Sequence, residues 1–265
     1  MQERHSNRDK YFREQIYTTE KYVIPFIRSV MDFGKDAAVL EIGCGEGGNL
    51  VPFLEMGCQP LVGIDLSDNK IANARQYLSE YGTAGKAVQL LHEDIYDTTS
   101  DKLGIYDIIL LRDVIEHIHD QEKFMGFLKR FMKPDGVVFF GFPNWFMPFG
   151  GHQQICKSRI LSKLPYFHLL PNFLYKTVLR LFDETNTTIE ALLEIKQTGI
   201  NIERFEQILK SQNYKIGKKR FYFINPNYEV KFGLKPREIS SIIGTIPWLR
   251  NFFITANYYV IGLSK

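Results

Sequence analysis

Three carboxylates and a run of glycines carry the clearest chemical signal in the chain. Val39 to Gly48 reads VLEIGCGEGG, an apolar strand running into glycines at 43, 45, 47 and 48 and then into a helical stretch. Glycines at such a turn let the backbone approach a ligand closely. The free N–H groups at the start of the following helix favour an electron-rich group. Gly43, Gly45 and Gly48 also satisfy the GxGxxG spacing of dinucleotide sites, so the turn alone does not choose its ligand. Its neighbours narrow the choice. Glu41, two residues before Gly43, can hold a cation such as the amino group of a methionine moiety. Together with Glu46 it would repel a pyrophosphate. Asp65 ends a second apolar run, VGID, and can accept both hydroxyls of a ribose, a role that suits any adenosine ligand. Asp94, in HEDI, follows a third run, where an acid can bind an adenine amino group.

Two further groups could act on an acceptor. Asp113, Glu116 and His117 follow a fourth apolar run at spacings of three and four, which share one helical face. His152 stands in Gly150-Gly151-His152-Gln153 after the fifth run and can overlook a reacting group as a base, its alternative being a packing residue of the surrounding segment. His168, in Tyr166-Phe167-His168, is expected to pack inside that segment. Tyr11 and Tyr17 lie in an N-terminal helical region.

The elements that must position these residues alternate in the β-α-β manner of a parallel sheet with crossover helices. Strands are expected at Ala37–Ile42, Pro60–Asp65, Ala87–Leu91, Tyr106–Leu111 and Val137–Phe142. Helices are expected at Ser67–Tyr81, capped by Ser67 or Asp68, and at Gln121–Met132, the latter closed by a Lys133-Pro134-Asp135-Gly136 turn. The unbroken run Val137-Val138-Phe139-Phe140 fits a strand covered on both faces. The rhythm breaks between Pro143 and Gly199, then resumes with a helix at Ile202–Ser211 and two long strands, Tyr214–Ile224 and Ile254–Leu263. The expected organisation is a single domain: N-terminal lid helices over 1–35, a core over 36–144, a cap over 145–199, and the end of the sheet over 200–265 with a second insertion at 225–253.

Composition bounds the remaining choices. Of 265 residues 45% are apolar, enough for a sizeable core, and no run approaches a membrane span. Three cysteines, none in a CxxC pair, and a polar segment Met1–Tyr11 without a signal-like apolar core suit a cytoplasmic protein without a structural zinc. A net charge of +3 is too small to point to nucleic acid, and none is expected as a partner. Between Gly136 and Phe182 there is no Asp or Glu, while Lys157, Arg159, Lys163, Lys176 and Arg180 stand among many aromatics. Such a cap suits an anionic amphiphile or a membrane face; its alternative is a packed core with a solvated rim.

Taken in order, Glu41-x-Gly43-x-Gly45-x-Gly47, Asp65, Asp94, Leu111-Arg112-Asp113 and Lys133-Pro134-Asp135-Gly136 resemble the class I S-adenosylmethionine-dependent methyltransferases, in particular the ubiquinone-biosynthesis type and the type 11 and type 12 groups. The resemblance covers roughly Val39 to Asn144 and continues more weakly to the last strands. It implies a Rossmann-like α/β fold: a mostly parallel sheet of seven strands with an antiparallel last strand, helices on both faces and, here, a helical cap. It implies S-adenosyl-L-methionine as cofactor. Glu41 and the loop Gly43, Cys44, Gly45 and Gly47 would hold the methionine part, with Asn49 near its carboxylate and Arg112 where the fourth strand meets the cofactor. Asp65 would hold the ribose, Leu66 one adenine face, and Asp94 with Ile95 the adenine rim. The stretch Asp113-x-x-Glu116-His117 is similar to the metal-binding Glu-x-x-Glu-His of ubiquinone-biosynthesis and small-RNA 2′-O-methyltransferases, but Asp113 is shorter than glutamate, and no metal is expected. The expected activity is methyl transfer to a small-molecule or lipid-linked acceptor. Oxygen is favoured because Phe142-Pro143-Asn144-Trp145 lacks the Asn/Asp-Pro-Pro-aromatic pattern of amine methylation. A cofactor-binding protein without catalysis and a nicotinamide-dependent oxidoreductase are the competing readings.

Overall fold

The computed structural model describes residues 8–82 and 87–264. The polar start of the expected lid, 1–7, therefore lies outside the described residues. The sheet order is β3-β2-β1-β4-β5-β8-β6-β7. Its parallel half consists of β1 (Val39–Ile42), β2 (Leu61–Asp65), β3 (Val88–His92), β4 (Tyr106–Arg112) and β5 (Met132–Phe142). The closing strand β8 (Ala256–Leu263) inserts between β5 and β6 (Tyr214–Ile224), antiparallel to both. Before β1 stand α1 (Arg8–Thr18) and α2 (Ile24–Arg28), joined by a π turn at Thr19–Val23. The crossovers include α3 (Val51–Glu55), α4 (Asp68–Ser79) and α5 (Gln121–Leu128). Ser67 caps α4 by accepting from the Lys70 N–H, so the helix starts at the carboxyl edge of β2.

Side-chain alternation along the strands builds two cores and decides which polar groups meet. Leu40, Ile42, Ile109, Leu111, Val138 and Phe140 face one layer with Phe124, Leu128 and Phe205. Val39, Ile108, Leu110 and Phe139 face the other, with Phe12, Phe26, Ile27 and Phe53. By the same two-residue period, Glu41 on β1 and Arg112 on β4 point into the second layer, beneath the N-terminal helices. Those helices are anchored by Phe26 against Phe139 and Tyr258.

Two expectations are corrected. The sheet has eight strands rather than seven, because β7 (Arg237–Glu238) adds an edge hairpin to β6. Two charged residues carry no strand signal of their own. The Lys133–Gly136 segment is not a turn after a long helix. Helix α5 ends at Leu128, a short 3-10 turn follows, and β5 already starts at Met132. The register jumps there: Met132 pairs with Tyr106 and Val137 with Ile108, so the intervening residues form an irregular bulge at the strand's start.

The cap has a core of its own. After β5 come short 3-10 turns, then α6 (Asn172–Leu181) and α7 (Asn186–Thr198). Cys156, Leu161, Phe167, Tyr175, Leu179, Ile189 and Leu192 pack together apart from the two sheet layers. Glu184 folds into it and accepts from the backbone N–H groups of Lys157 and Ser158 at 2.9 and 2.8 Å. Helix α8 (Ile202–Ser211) returns the chain to the sheet, and the second insertion after β6 begins with α9 (Asn227–Phe232). No described helix is long and apolar enough to cross a membrane.

Candidate active site

The glycine loop leaves β1 with Gly43, Gly45 and Gly47 all at positive φ, between 56° and 80°. Such dihedrals cost an L side chain roughly 1–2 kcal/mol. Asp65, at the tip of β2, ties the loop down. One oxygen accepts from the Gly45 N–H at 2.9 Å and the other from the Ser67 N–H at 2.9 Å. Each oxygen keeps a second lone pair for a ligand hydroxyl. Cys44 turns its thiol inward against Gly63, so only its backbone remains at the loop surface. Leu66 is largely exposed at the mouth of the same edge, and Ile95 is buried. Asp94 caps a short 3-10 turn through the Tyr96 N–H and is half-buried. Asp65, Leu66, Asp94 and Ile95 thus share the carboxyl edge of β2 and β3, the edge where ligands of open α/β sheets bind.

Glu41 is fully buried. Asn49 donates to one of its oxygens at 2.5 Å, while the other has no partner. The Asn49 carbonyl oxygen in turn accepts from Thr19 and Arg112. Arg112 also donates to Thr19 at 3.1 Å and to Asn227 at 2.8 Å. Arg112 therefore joins three elements: the N-terminal lid, the helix after the glycine loop, and α9. Asn49, expected beside the ligand carboxylate, is a bridge between Glu41 and Arg112. Burial pushes the Glu41 carboxyl up to about 8, with Asn49 and the Arg112 charge opposing the shift and Asp65 adding to it. Sequence reasoning expected the lid but missed Glu14 and Gln15 as its inward-facing polar residues. Glu14 and Gln15 are buried beside Arg112 and Asp113, each with one side-chain oxygen unpartnered. A charged residue on an otherwise amphipathic helix gives no signal that it faces inward.

On the cap side, a cavity of about 520 Å³ opens between the cap and the second insertion. Asp113, Glu116 and His152 line its inner end, Phe149, Ile155, Phe232 and Leu234 its apolar walls, and Lys163 and Lys231 bring two cations. Tyr11 also reaches it. His152 adopts a left-handed φ of 53° and starts a 3-10 turn. Buried Gln153 pins that turn by donating to the carbonyls of Pro148 and Leu164. His168 is a cap-packing residue: its Nε2 pairs with the Trp145 carbonyl at 2.8 Å, and burial lowers it to about 4. Asn144 is also structural, donating to Asn251 of the second insertion at 2.6 Å.

Glu116, His117 and His152 bring one ligand atom each to within 4.8 Å of one another, and Asp113 is not in that set. The His117 and His152 rings meet edge to face at 5.0 Å. Both Glu116 oxygens are buried without a partner, and burial together with the Asp113 charge pushes this carboxyl well up. One oxygen and two imidazoles fit a borderline divalent cation better than Mg²⁺.

Residues 16–189 match the methyltransferase-domain family. Among curated proteins, the ubiquinone biosynthesis O-methyltransferase of Bartonella tribocorum is 30% identical over 193 residues, covering 66% of this chain and 74% of the relative. That of Bartonella bacilliformis is 29% identical over 155 residues, covering 56% of this chain and 59% of the relative. The chain thus spans only part of the length of the curated relatives it matches. Among solved structures, a plantazolicin methyltransferase in complex with a triazolic analog and SAH superposes with a TM-score of 0.58 at 14% identity, covering 98% of this chain and 89% of that one. A phospholethanolamine N-methyltransferase of Haemonchus contortus superposes with a TM-score of 0.56 at 15% identity, covering 91% and 52%. These two show the fold. The family match removes the ambiguity of the glycine turn, against a nicotinamide cofactor.

Assigning Glu41 to the methionine ammonium group predicts a pH dependence. An unliganded carboxyl near 8 is mostly protonated at pH 6, and pairing with a cation requires it to ionise. Affinity for S-adenosylhomocysteine should rise from pH 6 toward 8, by at most about tenfold per unit, and level off above. Titration calorimetry across that range checks it. Glu41→Gln should abolish the slope; a slope unchanged by that substitution refutes the assignment.

Proposed function

The chain belongs to the class I S-adenosylmethionine-dependent methyltransferases, and from that membership we propose that it methylates a hydroxyl oxygen of an amphiphilic acceptor seated between the cap and the second insertion. The observation that carries this reading is the cavity of about 520 Å³, whose inner end meets the donor edge of the sheet at Asp113 and whose walls are apolar with cations. The curated relatives are named as O-methyltransferases of ubiquinone biosynthesis, which supports an oxygen nucleophile and an amphiphile.

The reaction is an in-line displacement. The acceptor oxygen forms a bond to the methyl carbon, the carbon–sulfur bond breaks, and S-adenosylhomocysteine leaves with the electron pair. The cofactor supplies the reactive methyl group. The protein aligns the partners, which can contribute about 7–11 kcal/mol. Lid and cap flank the site from two sides. In this reading His152 takes the proton from the acceptor hydroxyl, a contribution of roughly 10²–10⁴-fold. Glu116, His117 and His152 could instead hold a divalent cation, which would acidify a bound hydroxyl. An in-line methyl transfer needs no Lewis acid, so the base reading is carried forward. The direct test offers methyl-labelled cofactor to a panel of hydroxylated and amino amphiphiles; label recovered only in amines would overturn the oxygen reading.

Two outcomes are expected of variants. His152→Ala should lower kcat by roughly 10²–10⁴-fold while S-adenosylhomocysteine affinity stays within about twofold, because donor ligands lie on other strands. Activity should survive EDTA; loss on chelation with recovery on Mn²⁺ or Zn²⁺ would reassign His152 from base to ligand.

The cap surface supports delivery of the acceptor from an anionic lipid interface. Ile160, Phe173 and Leu181 are 64%, 69% and 75% exposed, beside exposed Lys157, Arg159, Lys163, Lys176 and Arg180. On α6, Phe173, Leu174 and Leu181 share an outward arc with Lys176 and Arg180 while Tyr175 and Leu179 point into the cap core. Such a face combines apolar insertion with attraction to anionic headgroups. Replacing Lys157, Arg159 and Lys163 together by Gln should weaken sedimentation with anionic liposomes, with the difference shrinking at high salt. Identical sedimentation of variant and wild type would leave these cations as a solvated rim.

A further inference from the structure

One short helix of the second insertion presents different faces to two sites. Toward the acceptor cavity, α9 offers Tyr228, Lys231 and Phe232. Toward the N-terminal lid it offers Glu229. The Tyr17 hydroxyl donates to Glu229 Oε2 at 3.0 Å. Lys21 Nζ donates to both Glu229 oxygens, at 3.1 and 3.0 Å, and the Tyr22 hydroxyl donates to Oε2 as well. Lys21 also donates to the Tyr17 hydroxyl at 2.7 Å. Three residues at positions 17, 21 and 22 converge on one carboxylate because the π turn at Thr19–Val23 adds a residue to the turn. In an uninterrupted α-helix the third would point about 140° away from the first.

What the lid covers gives this contact its meaning. The Phe12 carbonyl lies 2.5 Å from where a Cβ on Gly48 would stand, so the lid rests directly on the glycine loop. Glu14 and Gln15, only 6% and 7% exposed, carry unpartnered oxygens on the same inner face. Together with Tyr11, Arg112, Asp113 and Asn227 they enclose a cavity of about 10 Å³. That is room for about one water, and far too small for a methionine moiety to pass. The lid as it stands leaves no passage for the cofactor at this point, and Glu229 is the group that holds its outer side.

We propose that Glu229 is a positioning residue, clasping the lid to α9 and setting the rate at which S-adenosylhomocysteine leaves the enzyme. The proposal rests on the methyltransferase reading above. Glu229 touches neither the donor residues nor the reacting atoms; it acts through Tyr17, Lys21 and Tyr22. The ion pair is partly exposed, so its effect is modest and screened by salt.

The test uses the full chain and S-adenosylhomocysteine as the probe. Release is followed by stopped-flow displacement in wild type, Glu229→Lys, Lys21→Glu and the double exchange of both. Each single variant should release roughly three- to tenfold faster, the scale of one broken partly exposed network. The double exchange should return to within about twofold of wild type, a recovery that mere loss of packing would not give. Raising salt should speed release in wild type and not in the single variants. Wild-type binding with unchanged release in both single variants overturns the clasp alone. Failure of the wild type to bind S-adenosylhomocysteine overturns the cofactor reading, and the clasp falls with it.

Discussion

A buried carboxylate with an unfilled lone pair is the constraint around which this molecule is arranged. Glu41 sits in the layer between sheet and lid because strand β1 alternates its side chains, and Val39 before it faces the same layer. A charge there is costly unless it is paired. Asn49 and Arg112 oppose the upward shift that burial imposes on the Glu41 carboxyl without removing that shift, and Thr19 joins their network from a third element. The lid therefore packs on the sheet through more than apolar contacts such as Phe12 on Tyr77. It also joins, through Thr19, the polar chain that runs by way of Asn49 to Glu41. The same chain ties the donor edge to the second insertion through Asn227. Lid, loop and acceptor wall are thus mechanically one assembly, although they lie far apart in sequence.

The fold was largely legible because its signals are local. Apolar runs of strand length, a glycine turn and a Ser cap identify β1, β2 and α4 without any tertiary information. Helix α8 and strand β6 fall where periodicity puts them. The start of β5 was misread because Lys133-Pro134-Asp135-Gly136 has the composition of a turn, whereas its backbone is carried along as a bulge by pairing on either side with Tyr106 and Ile108. Strand β7 is held by its neighbour alone and has no pattern to detect.

The candidate site divides along the same line. Glu41, the glycines, Asp65 and Asp94 follow strand ends, so their shared edge is implied by the strands themselves. The partners that close the site are not. Glu14, Gln15 and Glu229 are charged or polar residues on helices, where a solvent-facing role is the ordinary expectation. His152 was visible through its flanking glycines, but its closeness to His117 and Glu116 depends on how the exit of β5 folds back over β4. Asn144 and His168 sit in suggestive sequence surroundings and turn out to bond to Asn251 and to the Trp145 carbonyl. Short motifs report the backbone that carries them; the pairing of distant side chains has to be seen.

The separate packing of the cap has a consequence for how such a chain can diversify. Its core of Leu161, Phe167, Tyr175, Leu179, Ile189 and Leu192 is distinct from the two layers that support the sheet. Substitutions in regions that share no partners add nearly independently. Mutational drift in the cap core can therefore proceed with little penalty to the two sheet layers. The two halves can accumulate changes at different tempos, provided a chimera exchanged near Asn144 and Gly199 keeps the seam where Thr198 meets Glu116 and Gln121, Phe146 and Tyr166 meet Phe252, and His152 meets His117. The architecture lets the packing of the cap and the packing of the sheet be inherited separately.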